Sequence, residues 1–264
     1  MDSSPMNLNA FLTRIGYTAD RTPNLANLNR LQRQFLLHIP FENLDIHQGI
    51  PLNFDSSPVF HKLVASKRGG VCYENNALFY DALTALGYEV KFLGAEMCSD
   101  RPLRQFYDHM SLKVTIDNQH YLVDVGNGRH FGAPVAFSGH QISRSEGFQY
   151  RIDEYDTAHL ALYYRDESEP NSPWQPRFVF VKTPVSRRSF LDACHRTQTS
   201  PESHFTQSKV ITQLTPTGRI SLSQSEEATK FTVTTDGQKQ EQSIDADQFN
   251  QYLRQYFQIT LLNG

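Results

Sequence analysis

The chain has 264 residues, 39% hydrophobic and 12% aromatic, enough for a sizeable core and too much for a disordered chain. Its formal charge of -3, without blocks of like charge, excludes the basic field that nucleic acid needs. No run of about 18 apolar residues occurs and Met1 to Pro5 is polar, so the chain reads as soluble and cytoplasmic, without a membrane partner.

Leu8 to Ile15 predicts a short helix stopped by Gly16, and Leu25 to Leu37 a second that carries Leu28, Leu31 and Phe35 on one face until Pro40 breaks it. In Ile39-Pro40-Phe41-Glu42-Asn43-Leu44 an acid is flanked by apolar residues. If it is buried it needs a partner, and Arg68 is the candidate; an exposed Glu42 is equally open. Ser57 to Ser66 predicts another short helix. Tyr73 to Leu86 predicts a longer one, with Ala77, Leu78, Tyr80, Leu83 and Leu86 at helical spacing before Gly87.

From Tyr88 the periodicity changes. Tyr88 to Gly94, Met110 to Ile116, Tyr121 to Val125, Phe148 to Ile152, His159 to Tyr164 and Phe178 to Lys182 read as strands of a barrel or sandwich, with Asp117-Asn118-Gln119 as a hairpin turn. Ser186 to Arg196 reads as a helical connector. Lys209 to Leu214, Arg219 to Leu222 and Thr229 to Thr234 read as strands, and Asp245 to Tyr256 as a closing helix capped by Asp245 or Asp247.

Chemistry concentrates at Arg68-Gly69-Gly70-Val71-Cys72-Tyr73-Glu74-Asn75-Asn76. The glycine pair allows close approach and brings Cys72 to a helix start, where unpaired N–H groups and the helix dipole favour a thiolate. A small buried cysteine capping a core helix is the alternative. Cys72, Cys98 and Cys194 are too few for a disulfide framework, and none lies in a zinc-ligand spacing, so no metal is expected.

A nucleophilic thiolate works with a base that an acceptor orients. In His109 to Ile116 the even positions are apolar, which places His109 on the opposite face; Asp124, between Val123 and Val125, requires a donor such as an imidazole N–H. A two-residue turn at Asn118-Gln119, however, sets Asp124 opposite Lys113, about 13 Å along the strand from His109. A bulge or an earlier turn would close that gap. His38, His61, His120 and His130 are among the histidines that compete for the role.

Three segments in this order, Ile39 to Leu44, Arg68 to Cys72 with Glu74 and Asn76, and Val123-Asp124-Val125-Gly126, resemble the arylamine N-acetyltransferase family over most of the chain. The resemblance implies an α+β fold with a cysteine-protease-like Cys-His-Asp core: an N-terminal helical bundle (1–87), a central antiparallel β-barrel (88–185), a helical connector (186–204) and a C-terminal α/β lid (205–264). It implies Cys72 as acyl-accepting nucleophile, His109 as base and Asp124 as orienting acceptor. Glu42, Arg68 and Asn76 would support them, with Glu42 and Arg68 as a buried pair.

The implied reaction is ping-pong transfer from acetyl-CoA, the acyl-donor co-substrate, through a Cys72 thioester to an arylamine, arylhydrazine or N-arylhydroxylamine. Phe41, Val71 and Tyr73 are candidate acceptor contacts, and Arg101, Arg104 and Arg129 candidate contacts for CoA phosphates. Where the family commonly has an aromatic residue between two glycines, this chain reads Gly126-Asn127-Gly128, which adds Asn127 as a polar wall of the acceptor site. An amide synthase using a larger acyl thioester, a papain-like or transglutaminase-like thiol hydrolase, and a non-catalytic binding protein are the competing readings.

Overall fold

The computed structural model describes residues 6–98, 106–129 and 131–261. Helix α1 (Leu8–Arg14) and helix α2 (Leu25–His38) are each capped by an asparagine oxygen, Asn7 Oδ1 accepting from Ala10 N and Asn24 Oδ1 from Asn27 N. A two-residue strand β1 (Phe41–Glu42) and a single turn α3 (Leu44–His47) follow. The expected 57–66 helix takes the form of α4 (Ser56–Phe60) running directly into a π-helical turn over His61–Ala65.

Helix α5 (Cys72–Ala85) is central rather than amphipathic: every residue from Cys72 to Phe79 is buried, including Glu74, Asn75 and Asn76. The sequence pattern marks only one face of it because the opposite face is buried with polar groups, each of which has to find a partner inside.

Eight antiparallel strands form the nearly closed barrel: β2 (Glu89–Met97), β3 (His109–Ile116), β4 (Gln119–Val123), β5 (Val135–Ala136), β6 (Ser143–Ser145), β7 (Phe148–Glu154), β8 (His159–Asp166) and β9 (Gln175–Val181), in the order β5-β4-β3-β2-β9-β8-β7-β6. Both faces of the β2–β4 region are covered. Met110, Leu112 and Val114 pack with Phe35 and Phe79 of the helices, while Leu93, Leu122, Phe178 and Phe180 fill the barrel interior. The odd-numbered face of β3 therefore looks into the barrel, and His109 and Ser111 are buried there.

The β3–β4 hairpin corrects the predicted register. Asp117 and Asn118, both at positive φ (50° and 62°), form the turn, so Ile116 pairs with Gln119 and Leu112 with Val123. The reversal comes one residue early, and continuing the same pairing sets Asp124 opposite Ser111, only two residues from His109.

After a 3-10 turn over Arg187–Phe190, helices α6 (Leu191–Thr199) and α7 (His204–Gln207) lead into β10 (Lys209–Thr215), β11 (Gly218–Gln224), β12 (Thr229–Thr235) and β13 (Gln238–Ile244). With β1 at its edge this makes a five-stranded antiparallel sheet, β1-β10-β11-β12-β13. Helix α8 (Phe249–Phe257) covers it through Phe249, Leu253 and Phe257, and Asp245 caps the 3-10 turn that precedes α8. Strand β1 joins two parts of the molecule, since Phe41 pairs with Thr212 of β10 on one side and bridges to Gly70 on the other.

Candidate active site

Cys72 is the first residue of α5. Val71, just before it, has no side-chain oxygen to cap the helix, so only the reverse half of a capping box exists, with Glu74 Oε2 accepting from Val71 N at 3.1 Å. Glu74 is in turn held by Lys62 Nζ at 2.8 and 2.9 Å. Lys62 also meets Asp45 at 2.7 Å, and Arg68 bridges Glu42 and Asp45 at 2.8 and 2.7 Å. Three buried carboxylates and two partly buried cations thus lie under the nucleophile's loop. Burial opposes the charge on Lys62, but Glu74, Glu42 and Asp45 outweigh it and hold the ammonium above the ordinary lysine range.

The loop cannot carry side chains where it passes closest. A Cβ at Gly69 would lie 2.2 Å from Pro40 O, and one at Gly126 would lie 2.5 Å from Cys72 Cα. Gly126 follows Asp124 by two residues, so this backbone contact sets the β4 end directly against the cysteine.

Asp124 is fully buried and saturated with donors. Its Oδ2 accepts from His109 Nε2 at 2.7 Å and from Asn127 Nδ2 at 3.4 Å, and its Oδ1 from Asn76 Nδ2 at 2.9 Å and Gly126 N at 2.8 Å. Asn76 lies one helical turn after Cys72. It also donates to Met110 O at 2.7 Å and accepts from Val125 N at 3.0 Å, which locks α5 to β3 and to the end of β4. The His109 ring packs on Phe178, with centroids 5.1 Å apart. Its Nε2 is committed to Asp124, so Nδ1 is the nitrogen left for Cys72.

Burial works against a charged His109. The Asp124 carboxylate, its hydrogen bond and the contact with Cys72 overcome this and raise the imidazole to about 10. Burial likewise pushes the Asp124 carboxyl up, but the His109 charge and the donors around it bring it below the ordinary value. The sign follows for folding: the His109 contribution is fully present below about 6.5, the ordinary imidazole value, and is lost as pH rises through about 10. We expect 15N NMR of labelled histidine to find His109 doubly protonated at pH 8, and Asp124→Asn to deprotonate it below that pH. A neutral His109 at pH 8 in the unsubstituted protein would contradict this electrostatic picture.

Cys72 and His109 open onto a cleft of about 1300 Å³ between the barrel and the C-terminal sheet. Phe41, Asn127, Arg129 and Arg177 line it near the cysteine, and Arg219, Lys230 and Lys239 line it on the sheet side. No group of three or more possible metal ligands occurs among the described residues.

A family model described as N-acetyltransferase matches residues 24–264. The chain is 32% identical over 225 residues to the arylamine N-acetyltransferase of Mycolicibacterium smegmatis, covering 82% of this chain and 80% of that protein. It belongs to the arylamine N-acetyltransferase family. In structure it superimposes on arylamine N-acetyltransferase C of Bacillus anthracis with a TM-score of 0.86 at 27% identity, over 97% of this chain and 99% of that one. The Mycobacterium marinum arylamine N-acetyltransferase in complex with CoA gives 0.84 at 26% identity, over 96% and 93%.

Within this arylamine N-acetyltransferase the expected residues do not all reach one place. Cys72, His109, Asp124 and Asn76 meet, as do Glu42 and Arg68. Phe41, Asn127 and Arg129 line the cleft. Val71 and Tyr73 do not: both are wholly buried, and Tyr73 packs between Phe54 and Phe190 with its hydroxyl donating to Tyr107 O at 3.2 Å. They flank Cys72 in sequence, but the helix start turns them into the core. Arg101, Arg104 and His130 lie outside the described residues.

Sequence reasoning missed Asp45, Lys62 and Arg177. Asp45 stands between Leu44 and Ile46, the same apolar flanking that marks Glu42, whereas Lys62 lies between His61 and Leu63 with nothing local to single it out. Arg177 is an odd-position residue in a strand, and nothing local marks it as facing Asn127, whose Oδ1 accepts from it at 3.0 and 2.7 Å.

Proposed function

We propose that this chain moves an acetyl group from acetyl-CoA to an arylamine or arylhydrazine, with Cys72 as nucleophile, His109 as proton carrier and Asp124 as the acceptor that orients it. The hydrogen-bonded His109–Asp124 pair beside a cysteine at a helix start, at the inner end of a large cleft, carries this reading. Family membership and the relative in complex with CoA support the choice of donor.

The Cys72 sulfur, its proton held on His109, attacks the thioester carbonyl. The carbon–sulfur bond to CoA breaks, and the His109 proton leaves on the CoA thiol. The amine then attacks the Cys72 thioester, passes one N–H proton to the now neutral His109, and expels the Cys72 thiolate. Only the two half-reactions together return the His109–Asp124 pair to its starting charge, the first leaving the imidazole neutral and the second protonating it again. Oxyanion stabilisation falls to first-turn N–H groups of α5, that of Cys72 included, at about 3 to 4 kcal/mol if one acts as a single well-placed donor. The four segments 1–87, 88–185, 186–204 and 205–264 are our division of the chain, the first supplying the nucleophile and the second the other two groups.

Intact-mass analysis after mixing with acetyl-CoA tests the reading. The expected result is a gain of one acetyl group, absent in Cys72→Ala and cleared by added aniline or hydrazine. Clearance at the same rate in water alone would favour a hydrolase, and no acetylation with rapid uptake of a larger acyl thioester would favour an amide synthase.

A further inference from the structure

Strand β9 is irregular where it passes the catalytic pair. Leu162 of β8 pairs with Phe178 and the next residue, Tyr163, pairs with Pro176, so Arg177 is the extra residue of a β-bulge. In a regular strand, neighbours point to opposite faces. Here both reach the site: the Phe178 ring packs on His109 with centroids 5.1 Å apart, and Arg177 donates to Asn127. The Arg177 carbonyl accepts from Cys98 N at 3.1 Å, which anchors the bulge just past the end of β2.

Arg177 also decides which way round Asn127 stands. Its Nε and Nη2 both donate to Asn127 Oδ1, at 3.0 and 2.7 Å, and a guanidinium can only donate. The amide oxygen is therefore held on the arginine side and the NH2 group is turned to Asp124, where Nδ2 donates to Oδ2 at 3.4 Å. Oδ2 is the same oxygen that accepts from His109 Nε2 at 2.7 Å. The imidazole thus shares its acceptor with an amide whose orientation is set from another strand.

Around His109, Asp124 reaches the ring from the end of β4 and Cys72 from α5. Glu96 of β2, Asp108 just before β3, Arg129 and Arg177 line the cleft onto which it opens. Burial lowers the proton affinity of the Arg177 guanidinium, and Asp124 is among the groups that pull it the other way, so arginine and carboxylate sense each other.

We propose that Arg177 is a positioning residue for the transfer reaction: through Asn127 it aims a second donor at Asp124 Oδ2, and with its own charge it weakens that oxygen's hold on the His109 proton. The proposal rests on the transfer reading above. Both contributions act in one direction. A second donor makes the carboxylate a poorer acceptor, and a nearby cation opposes charge on the imidazole. An amine attacking the Cys72 thioester needs a neutral His109, so this restraint favours the second half-reaction.

The test is the pH profile of acetyl loss from acetylated Cys72 with aniline, followed by quenched-flow mass measurement. Aniline is uncharged at neutral and alkaline pH, which leaves Arg177 no ionic contact with the acceptor. The rate rises as His109 becomes neutral. The midpoint is expected to move up by at least about half a pH unit in Arg177→Met and in Asn127→Leu, and by less in Arg177→Lys. Combining Arg177→Met with Asn127→Leu should move it no further than Arg177→Met alone, because the two side chains act through one amide. An unchanged midpoint in Arg177→Met overturns the proposal, whether the rate falls evenly at every pH, as a structural role would give, or KM for acetyl-CoA rises, as a nucleotide contact would give. A shift in Arg177→Met with none in Asn127→Leu also overturns it, leaving a bare field effect. Should Arg177→Met lose its cooperative melt, Arg177→Lys and Asn127→Leu carry the same comparison. If the unsubstituted protein forms no acetyl-enzyme, the transfer reading fails, and 15N NMR titration of His109 in the free protein still reads the relay by the same upward shift in the variants.

Discussion

Replacing Asp124 by Asn is expected to slow Cys72 acetylation by about 10⁴, the scale found when a buried triad carboxylate becomes an amide. The substitution is nearly isosteric. Asn Oδ1 would still accept from Asn76 Nδ2 and Gly126 N, so the loop and α5 stay joined. The change falls on the other atom: an NH2 group would face His109 Nε2, which must then be unprotonated to accept from it. The ring proton is forced to Nδ1, and a neutral imidazole protonated on the cysteine's side cannot take the cysteine's proton. Quenched-flow mass measurement of the acetyl-enzyme gives the rate. A loss of less than tenfold, with His109 still in place, would remove Asp124 from the mechanism.

Arg68→Met is expected to cost about 3 to 5 kcal/mol of stability, the usual result of deleting one partner from a buried ionic cluster. Arg68 is 15% exposed, and its fork spans Glu42 and Asp45, of which Glu42 is fully buried. Without it, Lys62 alone faces Glu42, Asp45 and Glu74. Methionine fills much of the space, so the loss reports charge rather than a cavity. Denaturant unfolding would measure it, and Glu42→Gln added to Arg68→Met should recover part of the loss by removing the stranded charge. A single variant within about 1 kcal/mol of the unsubstituted protein would mean the cluster is well solvated.

Much of this architecture was legible in the chain because each element carried its own signal. The Cys72 helix announced itself by spacing and by Gly87, and the barrel strands by alternation. The His109–Asp124 contact was harder, since it depended on which two residues turn the hairpin. Asp117-Asn118 and Asn118-Gln119 look equally suitable, and only the shared positive φ of the first pair sets the register. Strand β13 left no trace because Gln238–Ile244 is polar almost throughout and exposed at the sheet edge, where pairing with β12 needs no apolar face. Arg177 meets Asn127 across 50 residues, a contact that only barrel closure produces.

Strand β1 is only two residues long, but the C-terminal sheet and the reactive sulfur both depend on it. Glu42 N donates to Gly70 O at 3.1 Å, while Asn43 takes hold of the backbone at Phe205, Ser208 and Val210. A protease nick at Val210 to Thr212, where β10 holds β1 and Asn43, is therefore expected to slow acetylation of Cys72, read by intact mass, although every reacting atom survives the cut. The tail of the polypeptide works as part of the thiol's foundation, not as a detachable cover.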